Sequence, residues 1–124
     1  MRQSKNDAVA KLLGSLGLCA RARALTFGTS MICEAMRTAH PPRMVLMSSD
    51  VSAGTQKKLN DKCQYYHVTL VTLPVTGAEL ATAVGKSATL AAVALSDDNF
   101  CRLIQTQLQA IASQQKPLHE TSTT

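Results

Sequence analysis

No stretch of the chain stays apolar for the about 18 residues that a bilayer span requires; the longest candidate, Ala88 to Leu95, is far shorter. The start, Met1-Arg2-Gln3-Ser4-Lys5-Asn6-Asp7, leads into an amphipathic segment carrying Lys11 and lacks the apolar core of a signal peptide, so a cytoplasmic protein with no membrane partner is expected. Closely spaced cysteines are missing as well. Cys19, Cys33, Cys63 and Cys101 lie 14, 30 and 38 positions apart, which excludes the paired spacing of zinc sites. Cys33, Cys63 and Cys101 fall among apolar helical positions, where a free thiol behaves as a small buried hydrophobe, so reduced core thiols and no metal are expected.

Catalytic patterns are equally scarce. His40, His67 and His119 are scattered, with no cysteine, serine or carboxylate at a recognisable spacing. No G-x-G-x-x-G follows a strand, and Gly85-Lys86-Ser87 lacks the upstream glycine-rich loop of a P-loop. Asp50 ends an apolar run as a phosphate-accepting aspartate would, yet the first extended segment, Ala24 to Phe27, offers no acidic partner for a cation. Gly14-Ser15-Leu16-Gly17 has the spacing of a KH clamp but sits inside a helical pattern without KH flanks. An enzyme is therefore not expected, nor any cofactor.

What the chain does have is a sided charge. Residues 1–66 carry ten Lys and Arg against Asp7, Glu34, Asp50 and Asp61, while residues 67–124 carry three against four, so the whole net charge of +5 comes from the first half. One end of such a molecule suits phosphates. The 124 residues, 45% hydrophobic and 17% charged, fit one folded domain. It is expected to span residues 8–113, between a flexible start at 1–7 and a polar tail at 114–124.

Helices and strands alternate within it. Val9, Leu12, Leu13, Leu16 and Cys19 have helical spacing behind a cap at Asn6 or Asp7. Ala24–Phe27 is extended. A second helix from about Ser30 to Ala39 puts Ile32, Ala35, Met36 and Ala39 on one side and stops before Pro41-Pro42. Met44–Ser48 is a buried strand, and about 54–66 a helix with Leu59, Cys63 and Tyr66 inward. Val68–Leu73 is a β-branched strand. Thr76 and Glu79 have capping-box spacing and open a helix to about Val84. Thr89–Leu95 is an apolar strand, and Ser96-Asp97-Asp98 caps a last helix with Phe100, Leu103, Ile104, Leu108 and Ile111 on one face. Strands buried on both faces between helices predict a three-layer α/β/α sandwich.

One junction stands out. In Leu16–Ser30 a helix ending in Arg21 and Arg23 passes through an extended piece into Gly28, which opens the next helix at Thr29 or Ser30. Unpaired N–H donors and a partial positive charge then sit beside a basic surface. This points to nucleic acid, RNA foremost.

The run Leu16-Gly17-Leu18-Cys19-Ala20-Arg21-Ala22-Arg23-Ala24-Leu25, then Gly28, Val45-Leu46-Met47-Ser48-Ser49-Asp50, Lys57-Lys58-Leu59, Asp61-Lys62-Cys63 and Leu80 to Gly85 resembles bacterial, YlxQ-type members of the archaeal L-seven-Ae ribosomal protein family over about residues 8–112. The resemblance implies an α/β/α sandwich on a small mixed sheet. It also implies binding to kink-turn RNA, a bent internal loop stacked on sheared G·A pairs, in ribosomal or other RNA, with ribosomal or ribonucleoprotein partners and a monomeric protein. Carried over, the family's helix-opening contacts fall on Gly28, Thr29, Ser30, Met31 and Glu34. Met31 stands where the family has an acidic reader of guanine, and Glu34 where it has a phosphate-pairing lysine. A second contact maps to the loop Pro74, Val75, Thr76 and Gly77, with Pro74 and Val75 packing on a flipped nucleotide. From the basic half, Arg21, Arg23, Arg37, Lys57 and Lys58 are expected to supply phosphate contacts. The alternative on the same scaffold is a protein-interaction adaptor, in which Met31 belongs to an apolar contact.

Overall fold

The computed structural model describes residues 5–115, with side chains from 7 to 113. The elements run α1 (Lys5–Arg21), β1 (Leu25–Phe27), α2 (Thr29–Met36), β2 (Met44–Met47), α3 (Ala53–Tyr66), β3 (Thr69–Thr72), α4 (Gly77–Ala83), β4 (Ala92–Leu95) and α5 (Asp98–Gln115). Asn6 and Asp7, expected as a cap, lie inside the first turn of α1, where the Asp7 charge suits the positive helix end. Residues 5–7 and 114–115 are thus helical, while the rest of the expected flexible start and polar tail lies outside the described residues.

The sheet is mixed. Its order is β1-β4-β2-β3, with β1 and β2 antiparallel to β4 and β2 parallel to β3. The two central strands are the continuous apolar runs, buried at every position. Alternation along β2 divides the core into two. Met44 and Leu46 join Leu12 and Leu16 of α1, Leu80 and Val84 of α4, and Ile104 and Ile111 of α5 on one face. Val45 and Met47 join Ile32 and Met36 of α2 and Leu59 and Cys63 of α3 on the other. This is the expected α/β/α sandwich.

Several elements lose a residue at an end, and two fall three residues short of the sequence pattern. Helix α2 ends at Met36 and not Ala39, because the Thr38 hydroxyl donates to the Ala35 carbonyl at 2.7 Å and closes the last turn, leaving Ala39 exposed. Strand β4 begins at Ala92 and not Thr89, because the Leu90 N–H donates to Gly77 O and the Ala91 carbonyl accepts from Ser48 N–H, committing that backbone to a loop.

The thiols follow the two cores. Cys19, Cys63 and Cys101 are buried, whereas Cys33 is only half-buried, a correction to its expected core position. Burial pushes all three buried thiols up, that of Cys63 to about 11. A maleimide titration at neutral pH should therefore label Cys33 first, with the other three reacting only on unfolding. Prompt labelling of Cys63 in the native protein would contradict this packing.

Candidate functional site

Register places the loops. Phe27 stands opposite Val93, Met47 opposite Ala92, and Thr72 beside Met47. The carboxyl ends of β1, β2 and β3 therefore share one rim of the sheet with the amino end of β4. From that rim the chain turns back into α2, α3 and α4, so three helix N-termini gather there.

They differ in one respect. Helix α3 is capped by the Ser52 hydroxyl, which accepts from Thr55 N–H at 3.2 Å. Helix α4 has a full capping box: Thr76 Oγ1 accepts from Glu79 N–H at 3.1 Å, and Glu79 Oε1 accepts from Thr76 N–H at 2.8 Å. Helix α2 is capped by Gly28, which has no side chain to offer. The Gly28 N–H is spent on Ala92 O at 3.1 Å and its carbonyl on Ile32 N–H at 3.0 Å. The N–H groups of Thr29, Ser30 and Met31 therefore open the helix with no side-chain cap, at the positive end of its dipole. Gly28 adopts φ 87°, ψ 150°, a conformation closed to residues bearing a Cβ.

The other rim loops are laced together. Ser49 donates twice to Val75 O, from its N–H at 2.8 Å and its hydroxyl at 3.0 Å. Asp50 Oδ1 accepts from Gly77 N–H at 2.8 Å and from the Ser48 hydroxyl at 3.1 Å. The Gly77 amide foremost holds the Asp50 carboxyl below its ordinary value; partial desolvation opposes it, and the Ser48 hydroxyl adds a lesser lowering. Asp50 is thus a clamp between β2 and α4.

Of the sequence-derived residues, Ser30, Met31 and Glu34 are exposed on α2, Met31 by 58%, and Thr29 is half-buried. In the loop before α4 only Pro74 is exposed. Val75 is 2% exposed, packed in the core with Leu73 and Leu80, so it is not free to pack on a nucleotide; this corrects its expected role. The reason is alternation: Leu73 and Val75 turn inward on either side of Pro74. Gly77 is buried too, because a Cβ there would come within 2.6 Å of Thr89 Cγ2 and 2.7 Å of Leu90 O.

The cations scatter. Lys57 and Lys58 are exposed near the start of α3, Lys57 paired with Asp61 at 2.9 Å. Arg37 caps the far end of α2, about 13–14 Å along the axis from Gly28. Arg23 lies in the turn entering β1, at the opposite rim where Leu25 faces Leu95. Arg21 ends α1, in a cleft with Phe27 and Lys86. The rim gathers the α2 opening and Pro74, but not Arg23 or Arg37. It also brings in the exposed segment Lys86–Thr89, where the sequence offers Gly85-Lys86-Ser87 only as an incomplete P-loop and Thr89 as the start of a strand. The signal for it was Gly85, whose φ of +80° turns the chain out of α4.

Comparison with known proteins follows this geometry. Residues 10–104 match the model of the ribosomal protein L7Ae/L30e/S12e/Gadd45 family. The chain is similar to the RNA-binding protein YlxQ of Bacillus subtilis (strain 168), 36% identical over 85 residues that cover 68% of this chain and 82% of that one. Among solved structures it resembles a protein of unknown function from Bacillus halodurans C, with 32% identity and a TM-score of 0.72 over 81% of this chain and 98% of that one. It also shares its fold with the Giardia lamblia 15.5kD RNA binding protein, with 14% identity and a TM-score of 0.66 over 87% and 90% of the two chains.

Proposed function

The chain belongs to the ribosomal protein L7Ae/L30e/S12e/Gadd45 family, and from that premise we propose that it is a non-catalytic, cytoplasmic binder of structured RNA. Its ligand is a kink-turn-like element in ribosomal or another RNA, bound by a monomer whose single domain spans residues 8–113. Association with ribosomal or ribonucleoprotein partners belongs to the same reading. The observation that carries it is the uncapped opening of α2 at a rim where α3 and α4 have their own caps. Gly28 lets backbone approach RNA, the donors of Thr29–Met31 suit phosphate or base-edge acceptors, and the Ser30 hydroxyl both donates and accepts. Pro74 and the Lys86–Thr89 segment border the same surface, and Lys57 and Lys58 stand on its α3 side.

Titration of a generic kink-turn and a matched unbent duplex over a range of salt tests this. The kink-turn should bind more tightly, with log K falling linearly in log salt. Changing Lys57 and Lys58 together to Ala should lower the slope by about 1–2 units, since each neutralised phosphate contributes roughly 0.9. Equal binding of the two RNAs would reject kink-turn recognition. No binding to either would reject the RNA reading and leave the adaptor one, in which exposed Met31 meets a protein.

A further inference from the structure

We infer that the cleft between the ends of α1 and α4, floored by Phe27 of β1, is a second RNA contact, taking a phosphodiester and its nucleotide from a single strand that leaves the rim. This rests on the structured-RNA reading. The cleft has a volume of about 390 Å³, and its cations are Arg21 and Lys86. No acidic side chain lines it, and neither cation has an ion-pair partner among the described residues.

Its shape is built by two glycines. A Cβ on Gly17 would sit 2.8 Å from the Ala83 carbonyl, so only glycine lets α1 and α4 come this close. Arg21 follows Gly17 by one turn and shares its face of the helix. Gly85, at φ +80°, closes α4: its N–H donates to Thr82 O at 3.2 Å, and the Lys86 N–H donates to Ala81 O at 2.8 Å. That turn carries the Lys86 ammonium to 4.4 Å from the centre of the Phe27 ring. Both cations therefore meet on one concave surface, steadied by the negative ends of α1 and α4. Paired cations recognise a phosphate, and an aromatic floor with the small side chains of Ala20 and Ala83 accepts ribose or base. Phe27 directly precedes Gly28, so along the chain the cleft lies one residue from the α2 opening.

The test compares the wild-type protein with Arg21→Gln/Lys86→Gln on kink-turn RNA with and without a short single-stranded extension. Both side chains are exposed, and Lys86→Gln alone, which keeps every backbone bond of the turn, guards against a folding defect. On the extended RNA the double variant should lose about 1.4 units of salt slope, 0.7 for each single-strand phosphate, so a fourfold rise in salt costs the wild type about sevenfold more affinity than the variant. On the unextended RNA, where only the approach along the rim remains, the double variant should lose less than about half as much slope. Equal slopes on the extended RNA, or equal losses on both RNAs, would overturn the cleft while leaving the α2 surface intact. If the wild type binds no structured RNA, titration with a short single-stranded oligonucleotide decides separately. Amide shifts at Arg21, Phe27 and Lys86 that vanish in the double variant uphold the cleft, and their absence sinks it.

Discussion

Changing Met31 to Glu and Glu34 to Lys together should tighten kink-turn binding about tenfold or more, since a hydrogen bond to a charged group contributes roughly 1.5–3 kcal/mol before competing costs. Both side chains are exposed on α2, so neither change disturbs the core. Glu at position 31 supplies an acceptor for guanine N–H groups, and Lys at position 34 replaces a carboxylate that opposes phosphate with a partner for it. The helix gains as well. Wild-type α2 has no acidic residue in its first turn and no basic one in its last, and the double change supplies both. A calorimetric titration against a kink-turn and an unbent duplex, with a thermal melt of each protein, separates recognition from stability. Tightening confined to the kink-turn places α2 at the RNA. Unchanged affinity for both RNAs with an unchanged or raised melting point would put the contact elsewhere and favour the adaptor reading.

The second large effect is one of backbone. Gly28→Ala should destabilise the fold by about 1–3 kcal/mol, the usual cost of forcing a Cβ into this region of backbone space. A Cβ at Gly28 meets nothing within 4 Å, so the loss comes from φ and not from a clash. Gly14 is the control. It lies exposed in the middle of α1, a Cβ there is also unobstructed, and Gly14→Ala should stabilise by about 0.5–1 kcal/mol through helix propensity. Urea denaturation of the two variants should thus move in opposite directions from wild type. RNA affinity should fall only for Gly28→Ala, whose strain is relieved by tilting the first turn of α2. A Gly28→Ala protein as stable as the parent would mean that φ near 87° is not required at that junction.

Much of the fold was legible because burial writes periodicity into sequence. The central strands lie inside the apolar runs Met44–Ser48 and Thr89–Leu95 that announced them, and Thr76 and Glu79 formed the capping box their spacing implied. Strand direction was not legible from pattern. A side chain alternates in the same way whichever way its strand runs, so a mixed sheet came only from the resemblance, and the antiparallel pairing of β1 and β2 with β4 only from the structure. The site was harder. Gly28 and the α2 opening are local features, readable from a glycine before a helical pattern. Arg23 and Arg37 are near Gly28 in sequence but not in space, because a strand and a helix carry them to the opposite rim. Val75 sits between turn residues and reads as loop, yet the inward phase of Leu73 continues through it. The Lys86–Thr89 segment was hidden by its continuity with β4; only long-range bonds to Gly77 and Ser48 pull the neighbouring Leu90 and Ala91 out of the strand.

The lacing of the rim bears on rates. Ser49 to Val75, Asp50 to Gly77, Leu90 to Gly77 and Ser48 to Ala91 join the ends of three strands and the start of α4 into one body before any ligand arrives. A receptor so tied has little left to order on encounter. The rearrangement in forming a complex then falls on the RNA, which must bend before it fits. Association should track the fraction of RNA already bent, and cations that favour bending should speed it. Side-chain changes on α2, made on a surface that is already set, should be felt almost wholly as altered residence time.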